Sequence, residues 1–487
     1  MNRQIVRLFG FIVVLFGVLV GFTSYWSVFD AEALKEKDAN KRPLFEQQQI
    51  PRGRILAADG TVIAKSVAKG RGASKRYVRR YPEGFLFGHP IGYSFVKYGD
   101  SEFEQFHNDE LIGEGSEFNS IADELLGHTQ QGNDIVTNID TAAQRVALGD
   151  LEEAGYGAVV ALDPKTGAVE VMASNAPYDP NRVPYDFEKW NADEIERPLV
   201  NRATQGLYPP GSTFKVVTAA AGLDSGAITP ETTINAPGTI IDEGQPLNND
   251  FTEDFGPVAL DTALTNSVNT WFGQLGQQLG NDTLFEYMER FGFNARPAID
   301  LPEDEVNPSG VWNLEADELL HANDPVDLAR VAIGQERLLA TPLQMAQVAA
   351  AVANGGKLMK PQIWKRVVDP DGRTVDTMDP SVYSEAVSEQ TAEELTTAME
   401  GVVSEGTGTN AEIPGVPVAG KTGTAETPGN LACGGGENEN QAWFIGFAPA
   451  DDPKIAIAAS VECTEQFGND VAAPIFRDVA ETILNGE

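Results

Sequence analysis

The types and spacing of Ser212 and Lys215 could do chemistry. They follow the turn Pro209-Pro210-Gly211 and open an apolar run over residues 216–221, which predicts a buried helix. Residues three apart on a helix share one face, with about 5–6 Å between their Cβ atoms. Burial would disfavour the charged lysine, so its neutral amine could take the serine proton, while the helix N-terminus would favour the developing alkoxide. The pair predicts a serine nucleophile with a lysine base.

A second candidate lies at Ser267-Val268-Asn269, within a stretch whose apolar residues follow a helical period from residue 260 to residue 279. Residues 266 and 267 are asparagine and serine, which prefer turns and caps to helix interiors. The pattern favours a loop between two helices that presents a hydroxyl group and an amide. An ordinary helix N-cap would use the same residues, and the motif alone does not separate the two.

A third candidate is the segment 417–426, whose small residues predict a strand that a ligand backbone can approach closely. Lys421 offers a positive charge, and Thr422 and Thr424, on either side of Gly423, offer hydroxyl groups. These groups suit a substrate that carries a carboxylate and is added along the edge of the strand. The alternative is an ordinary edge strand with a solvated lysine.

Two of these short patterns occur more than once. Ser-x-x-Lys recurs at Ser66 and Ser94, and Lys-Thr-Gly recurs at Lys165. Neither serine opens a buried helix, because Ser66 follows a predicted hairpin and Ser94 lies between two glycines. Lys165 lies in a hairpin turn and precedes the Ser-x-Asn motif. Order and context therefore select the set that begins at Ser212.

The elements that would hold this set begin with a membrane anchor. Residues Leu8 to Tyr25 form an apolar run long enough to cross a bilayer, and we expect a transmembrane helix over residues 8–27. Arg3 and Arg7 precede the run, so residues 1–7 are expected in the cytoplasm and the bulk of the chain outside it. A cleaved signal peptide is the alternative, but no Ala-x-Ala site follows the run.

Composition restricts the partners and cofactors of the chain. The 487 residues suggest about two to four domains, and a hydrophobic content of 42% is enough for sizeable cores. The formal net charge of −37 argues against nucleic acid as a partner. The histidines are scattered without metal-ligand spacing, so we expect neither a metal nor another cofactor.

The cysteines of the chain are Cys433 and Cys463. In an oxidising compartment they could form a disulfide that closes a loop of about 30 residues and stabilises the fold by about 3–4 kcal/mol. Two free buried thiols are the alternative.

The chain outside the membrane divides into two parts. Residues 51–64 predict a hairpin, and residues 141–153 predict a helix that precedes a second hairpin over 158–173. We place the main boundary near residue 155. The expected parts are an N-terminal module over 28–154 and a larger domain over 155–487.

A basic cluster follows the first hairpin, at Lys75, Arg76, Arg79 and Arg80. It is consistent with a solvated loop, or with contact to anionic lipid or polymer.

In order, the motifs at Ser212, Ser267 and Lys421 match the signature of penicillin-binding proteins and serine β-lactamases. Valine stands in the middle of the second motif, where class A lactamases have aspartate, and this resembles the transpeptidase branch. The chain resembles a class B penicillin-binding protein, in particular the short actinobacterial penicillin-binding protein A type. The further segments that carry the resemblance are 52–53, 59–60, 201–203, 208–211, 332–335, 341–346, 443–447, 454–461 and 472–484.

The resemblance implies an α+β protein with the serine β-lactamase/penicillin-binding transpeptidase fold, an antiparallel sheet flanked by helices. A smaller mixed N-terminal module and a single N-terminal transmembrane helix would complete it. The implied activity is that of a peptidoglycan D,D-transpeptidase, which cross-links the stem peptides of lipid II-derived glycan strands through a Ser212 acyl-enzyme and releases D-alanine. β-Lactams would acylate the same serine because they mimic the D-alanyl-D-alanine end.

The resemblance also implies a role for each matching residue. Lys215 would be the base for Ser212, and Ser267 would relay a proton to the leaving amine. Asn269 would hold the amide of the substrate and orient Lys215.

The third motif would hold the substrate. Lys421 would set the electrostatics of the site, and the segment Thr422, Gly423 and Thr424 would bind the terminal carboxylate through the two hydroxyl groups. The backbone N–H groups of Ser212 and Thr424 would form the oxyanion hole.

Three alternatives stay open. A D,D-carboxypeptidase uses the same residues with water as the acceptor. A β-lactamase needs a base that activates water for deacylation, for which the sequence offers no candidate that we can place. A non-catalytic β-lactam-binding scaffold or sensor is the alternative from another class, and the intact motifs weigh against it.

The family suggests partners as well. These are a SEDS-family membrane glycosyltransferase and divisome or elongation proteins, contacted through the N-terminal module as a pedestal or dimerisation-type domain. The motifs do not choose between septation and elongation.

Overall fold

The computed structural model describes residues 3–25, 48–71, 75–113, 130–426 and 440–486. The α-helices of these residues are α1 (Arg3–Ser24), α2 (Gly88–Ile91), α3 (Glu102–Phe106), α4 (Asn108–Ile112), α5 (Thr141–Ala154), α6 (Val183–Asn191), α7 (Arg202–Gln205), α8 (Lys215–Asp224), α9 (Leu260–Thr265), α10 (Asn269–Arg290), α11 (Leu328–Val331), α12 (Pro342–Ala353), α13 (Glu389–Ser404) and α14 (Gly468–Gly486).

The strands are β1 (Ile55–Leu56), β2 (Val62–Lys69), β3 (Arg76–Arg80), β4 (Ser94–Phe95), β5 (Gly99–Asp100), β6 (Asp134–Thr137), β7 (Gly157–Leu162), β8 (Val169–Ser174), β9 (Ile234–Ala236), β10 (Thr239–Asp242), β11 (Gln245–Asn248), β12 (Gly256–Val258), β13 (Gly310–Asn313), β14 (Glu318–Leu319), β15 (Leu338–Leu339), β16 (Lys357–Met359), β17 (Trp364–Val368), β18 (Thr374–Thr377), β19 (Val382–Glu385), β20 (Ala419–Glu426), β21 (Asn440–Ala448) and β22 (Ile455–Thr464).

The larger domain is built on a five-stranded antiparallel sheet in the order β20-β21-β22-β7-β8. Helices α5 and α14 pack on one face, and α12 packs on the other, in the same core cluster as α8. Along β7, Val159 and Ala161 lie in the core cluster that contains α5 and α14. Ala158 and Val160 lie in the cluster that contains α8 and α12. The strand is apolar throughout because both faces are buried and neighbouring side chains alternate between them. The prediction of an antiparallel sheet flanked by helices is confirmed.

A six-stranded sheet in the order β18-β17-β6-β1-β2-β3 forms the core of the N-terminal module. It is mixed, because β1 and β6 run parallel while its other pairs are antiparallel. The first predicted hairpin is present as β1 and β2. Two of the six strands, β17 and β18, lie much later in the sequence, after residue 360.

The interpretation of the basic cluster as a solvated loop is wrong. Residues Arg76–Arg80 form strand β3, and Arg79 is buried. The Nε atoms of Arg79 and Arg52 donate to the two carboxylate oxygens of Glu104, at 2.6 Å and 2.8 Å. Removing one partner of such a buried group leaves an uncompensated charge, at a cost of about 3–5 kcal/mol. Part of the cluster is therefore committed to the interior of the module.

The N-terminal helix α1 has 22 residues and is long and apolar enough to cross a membrane. At 1.5 Å per residue such a helix spans about the thickness of the hydrocarbon core. The predicted anchor over residues 8–27 overlaps this helix, except that residues 26 and 27 lie outside the described residues.

Candidate active site

Ser212 lies in a single 3-10 turn, Gly211–Phe214, that runs directly into α8. The turn is positioned by close backbone contacts. Gly211 has a φ of 54°, and its N–H donates to the carbonyl oxygen of Gly334 at 2.9 Å. A Cβ on Gly334 would lie 2.0 Å from the Gly211 carbonyl oxygen, so only glycine fits there. The expected helix therefore begins at Lys215, and the turn before it leaves Ser212 half-buried.

The Lys215 amine is fully buried and makes three hydrogen bonds. Nζ donates to Asn269 Oδ1 at 2.5 Å, to the Ser267 carbonyl oxygen at 2.7 Å and to Ser267 Oγ at 3.1 Å. The residues of the first two motifs thus meet at this amine, although they are more than 50 positions apart in the chain.

Burial lowers the pKa of Lys215 well below its ordinary value of 10.5, and the positive charge of Lys421 lowers it further. Asp250 opposes these effects. A neutral amine keeps two N–H donors and gains a lone pair that can accept a proton. Such an amine could serve as a base without a histidine.

The loop 266–268 separates α9 from α10, as the sequence predicts. Ser267 has a φ of 56° and does not cap α10, whose preceding residue is Val268. Asn269 is the first residue of α10, and its Nδ2 donates to the Asn248 carbonyl oxygen at 2.9 Å. This bond fixes the amide orientation, so that Oδ1 faces the Lys215 amine.

Lys421, Thr422, Gly423 and Thr424 lie on β20, which is the edge strand of the large sheet. The alternative of a solvated lysine is wrong, because Lys421 has 0% exposure and its Nζ donates to the Thr422 carbonyl oxygen at 3.1 Å. Burial lowers the pKa of Lys421 to about 7, against the opposing effect of Asp250. A carboxylate brought to this amine would favour its charged form.

The two threonines share one face of β20 because side chains alternate along a strand. Thr424 Oγ1 accepts a hydrogen bond from the Gly468 N–H at 3.2 Å, which leaves its own O–H to donate elsewhere. Thr422 Oγ1 lies 2.8 Å from Thr407 Oγ1. Each hydroxyl group is held by a neighbour and keeps bonding capacity for a ligand.

Strand β20 lies directly against the turn that carries Ser212. A Cβ on Gly211 would lie 3.0 Å from the Thr424 carbonyl oxygen, and a Cβ on Gly423 would lie 2.8 Å from the Pro210 carbonyl oxygen. Trp443 Nε1, on the next strand, donates to the Pro209 carbonyl oxygen at 3.0 Å. All three motifs therefore meet in one place, around a half-buried serine and two buried lysines.

Sequence reasoning missed three residues of this site, Asn248, Asp250 and Thr407. Asn248 acts through a backbone carbonyl, which no sequence pattern marks. Asp250 is one acid among many in an acidic chain. Thr407 stands between Gly406 and Gly408, and this close spacing of glycines is a signal that the backbone is approached closely.

Two further observations concern possible metal ligands and the cysteines. The described residues contain no group of three or more His, Cys, Asp or Glu residues that could hold a metal ion. Cys463 lies in β22, whereas Cys433 lies outside the described residues, so their bridge stays a prediction.

Two family models match the chain. One is described as the penicillin binding protein transpeptidase domain and matches residues 157–481. The other is described as the penicillin binding protein A dimerisation domain and matches residues 52–135.

Similar proteins cover the whole length of the chain. Peptidoglycan D,D-transpeptidase PbpA of Mycobacterium tuberculosis is 32% identical over 100% of both chains. PbpA of Mycolicibacterium smegmatis is 34% identical over 98% of each. The solved structure of penicillin-binding protein A from M. tuberculosis as a ceftriaxone acyl-enzyme complex superposes with a TM-score of 0.80 at 32% identity, over 90% of this chain and 99% of that chain.

Proposed function

The chain belongs to the penicillin-binding protein transpeptidase family and is a serine-type peptidoglycan D,D-transpeptidase that binds β-lactams, and we propose that Ser212 carries the acyl group of its reaction. The observation behind this proposal is the buried Lys215 amine. This amine is held by hydrogen bonds to Ser267 and Asn269. Lys215 lies three residues after Ser212, which is half-buried.

The proposed acylation begins when Ser212 Oγ attacks the carbonyl carbon of the penultimate D-alanine and its proton passes to Lys215 Nζ. The C–N bond then breaks, and the terminal D-alanine leaves with a proton relayed through Ser267 Oγ. The 3.1 Å contact between Lys215 Nζ and Ser267 Oγ supports this route for the proton. An amine from a neighbouring stem peptide attacks the acyl carbon, gives up a proton to the same relay and frees Ser212.

Substrate binding is proposed along β20. The carboxylate of the terminal D-alanine would accept hydrogen bonds from the hydroxyl groups of Thr422 and Thr424, with Lys421 charged beside it, and Gly423 would let the substrate approach. The backbone N–H groups of Ser212 and Thr424 would bind the oxyanion. Losing one such donor typically lowers the rate by about 10²–10³-fold.

The experiment that tests this function offers the full chain a stem pentapeptide donor together with an acceptor amine. We expect a cross-linked product and an equal amount of free D-alanine, measured by mass spectrometry. Ser212→Ala is the control and should form neither.

Other products would contradict the proposal in a specific way. Tetrapeptide without cross-linked product would identify a carboxypeptidase, and rapid turnover of penicillin would identify a β-lactamase. Penicillin binding without any reaction of the peptide would favour the scaffold.

The domain limits and orientation are part of the proposal. Residues 1–7 would lie in the cytoplasm and 8–27 in the membrane. Outside the membrane, residues 28–154 would form the module and 155–487 the transpeptidase domain, except that β17 and β18 complete the sheet of the module and α5 packs on the sheet of the larger domain. The arginines at positions 3 and 7 support this orientation, because positive charge is kept on the cytoplasmic side.

A SEDS-family membrane glycosyltransferase and divisome or elongation proteins are the proposed partners, with the module over 28–154 as the contact. The match of this region to a dimerisation-domain model supports a role in assembly. We expect such a polymerase to co-purify with the full chain from chemically cross-linked cells. Its absence from that sample, while other membrane proteins are captured, would exclude this partner.

A further inference from the structure

The hairpin formed by β2 and β3 carries a strip of cations on one face, which we call the basic strip: Lys65, Lys69, Arg76 and Arg80. Its register places Lys65 opposite Arg80 and Lys69 opposite Arg76. Residues opposite each other in an antiparallel pair point to the same face, so each pair brings two like charges together. Such pairs destabilise a sheet. The fold alone therefore gives no reason for this arrangement.

Nothing in the described part of the chain neutralises the basic strip. Lys65, Lys69 and Arg76 are exposed, Arg80 is partly exposed, and none of the four forms an ion pair with a described residue. The chain as a whole has 72 acidic and 35 basic residues, so carboxylates are abundant elsewhere. A concentration of cations without an acidic partner among the described residues, in so acidic a protein, indicates a binding surface for an external anion.

The shape of the strip fits a flat, partly apolar surface. Val67 and Val78 are paired between the two cation pairs, and Val67 is exposed to 39%. Cations flanking an apolar centre match the layer of phosphates and glycerol groups at the surface of a bilayer.

The basic strip is also tethered to the membrane. The chain from α1 enters the module at Gln48, whose carbonyl oxygen accepts a hydrogen bond from the Tyr77 N–H of β3 at 2.7 Å. Residues 26–47 join α1 to this point, so even a fully extended connection would span only about 80 Å. A tether gives the bilayer a high effective concentration at the strip, so individually weak contacts are sufficient for binding.

We propose that the basic strip docks on the anionic phospholipid headgroups of the membrane that holds α1. An anionic bilayer attracts this face and repels the acidic remainder of the protein. Because salt screens charges beyond about 8–10 Å, only the face nearest the bilayer contributes. Docking would therefore set the orientation of the N-terminal module above the membrane.

The test measures how fast the lysines react with an amine-specific acetylating reagent, by peptide mass spectrometry on the full chain in nanodiscs. We compare nanodiscs of phosphatidylcholine alone with nanodiscs that contain phosphatidylglycerol. We expect Lys65 and Lys69 to react about tenfold more slowly in the anionic nanodiscs, and high salt to abolish the difference. Lys165 and Lys357 are exposed on the larger domain, outside the sheet that carries the strip; they are internal controls and should react equally in both.

A pair of variants separates the strip from net charge. Arg76→Gln with Arg80→Gln keeps both reporter lysines but removes two cations, each worth about fivefold in attraction to an anionic surface. We expect it to restore fast acetylation in anionic nanodiscs. Lys189→Gln with Arg197→Gln changes the net charge equally at exposed residues outside this sheet and should not restore it. Retained labelling by a fluorescent penicillin will show that both variants are folded.

Three results would overturn the proposal. The first is equal reaction of Lys65 and Lys69 in both nanodiscs. The second is slowing that extends equally to the control lysines, since it would reflect bulk surface charge. The third is protection by a soluble anionic cell-wall polymer but not by lipid, which would assign the strip to that polymer.

Discussion

Replacing Ser212 with alanine will abolish covalent labelling by a fluorescent penicillin. The wild-type chain is expected to gain one penicillin per molecule, as a mass that persists over hours. Without the hydroxyl group no acyl bond can form at this site, and the loss of a serine nucleophile typically lowers turnover by about 10⁶-fold. Intact-mass spectrometry of the two proteins, sampled from minutes to hours, measures both the formation and the loss of the adduct.

The two other Ser-x-x-Lys copies supply matched controls. Ser66 lies on β2, where its Oγ donates to the Arg52 carbonyl oxygen at 2.9 Å, and Ser94 lies on β4. Neither stands near the Lys215 amine, so Ser66→Ala and Ser94→Ala should label like the wild type. An adduct that survives in Ser212→Ala would refute the nucleophile assignment. An adduct that forms and is then hydrolysed within minutes would indicate a lactamase.

Replacing Lys215 with methionine will slow acylation by about 10²–10⁴-fold, the usual contribution of a general base. Methionine fills similar space but has no lone pair of comparable basicity. Non-covalent binding of penicillin should change much less, because the proposed carboxylate contacts on β20 remain. Stopped-flow kinetics with a reporter β-lactam separate the binding constant from the acylation rate.

A second variant distinguishes a base from a fixed positive charge. Lys215→Arg keeps the charge, but the guanidinium group stays protonated at all accessible pH values and cannot accept a proton. If Lys215 is the base, arginine will be as inactive as methionine. Substantial activity in Lys215→Arg would mean that Lys215 acts through its charge.

The pH profile of acylation follows from the two buried lysines. A base works only when it is deprotonated. Because the pKa of Lys215 is depressed, the acylation rate should rise with pH and stop rising at a pH well below 10.5. Lys421 is proposed to act as a cation, so activity should fall again as pH passes its pKa of about 7. The two groups interact, and the limbs therefore report the pair together. Lys421→Arg should remove the falling limb and leave the rising one.

Local sequence patterns predicted the elements of the site because side-chain type and periodicity act locally. The helix after Ser212, the loop at Ser267 and the strand at Lys421 each follow from a few neighbouring residues. The environment of each residue was not predictable in this way. Lys421 is buried because α8, α10 and β20 pack against one another. Their arrangement is set by packing across the whole domain.

The basic cluster shows the same limit. Arg79 and its neighbours are equally basic in the sequence, yet Arg79 is buried against Glu104 while Arg76 is exposed. Strand alternation separates the two only once β3 is known to pair with β2. The segment was wrongly assigned to a loop because its charges were considered without the alternation of side chains along a strand.

The shared sheet of the N-terminal module constrains the order in which the chain can fold. Strand β6 ends at Thr137, but its partner β17 begins only at Trp364. As the chain is synthesised from its N-terminus, β6 is an open edge until most of the transpeptidase domain has followed. Exposed strand edges pair readily with other chains. The module and the enzyme must therefore mature together, and a nascent chain that stalls before β17 is left with an unprotected edge beside the membrane.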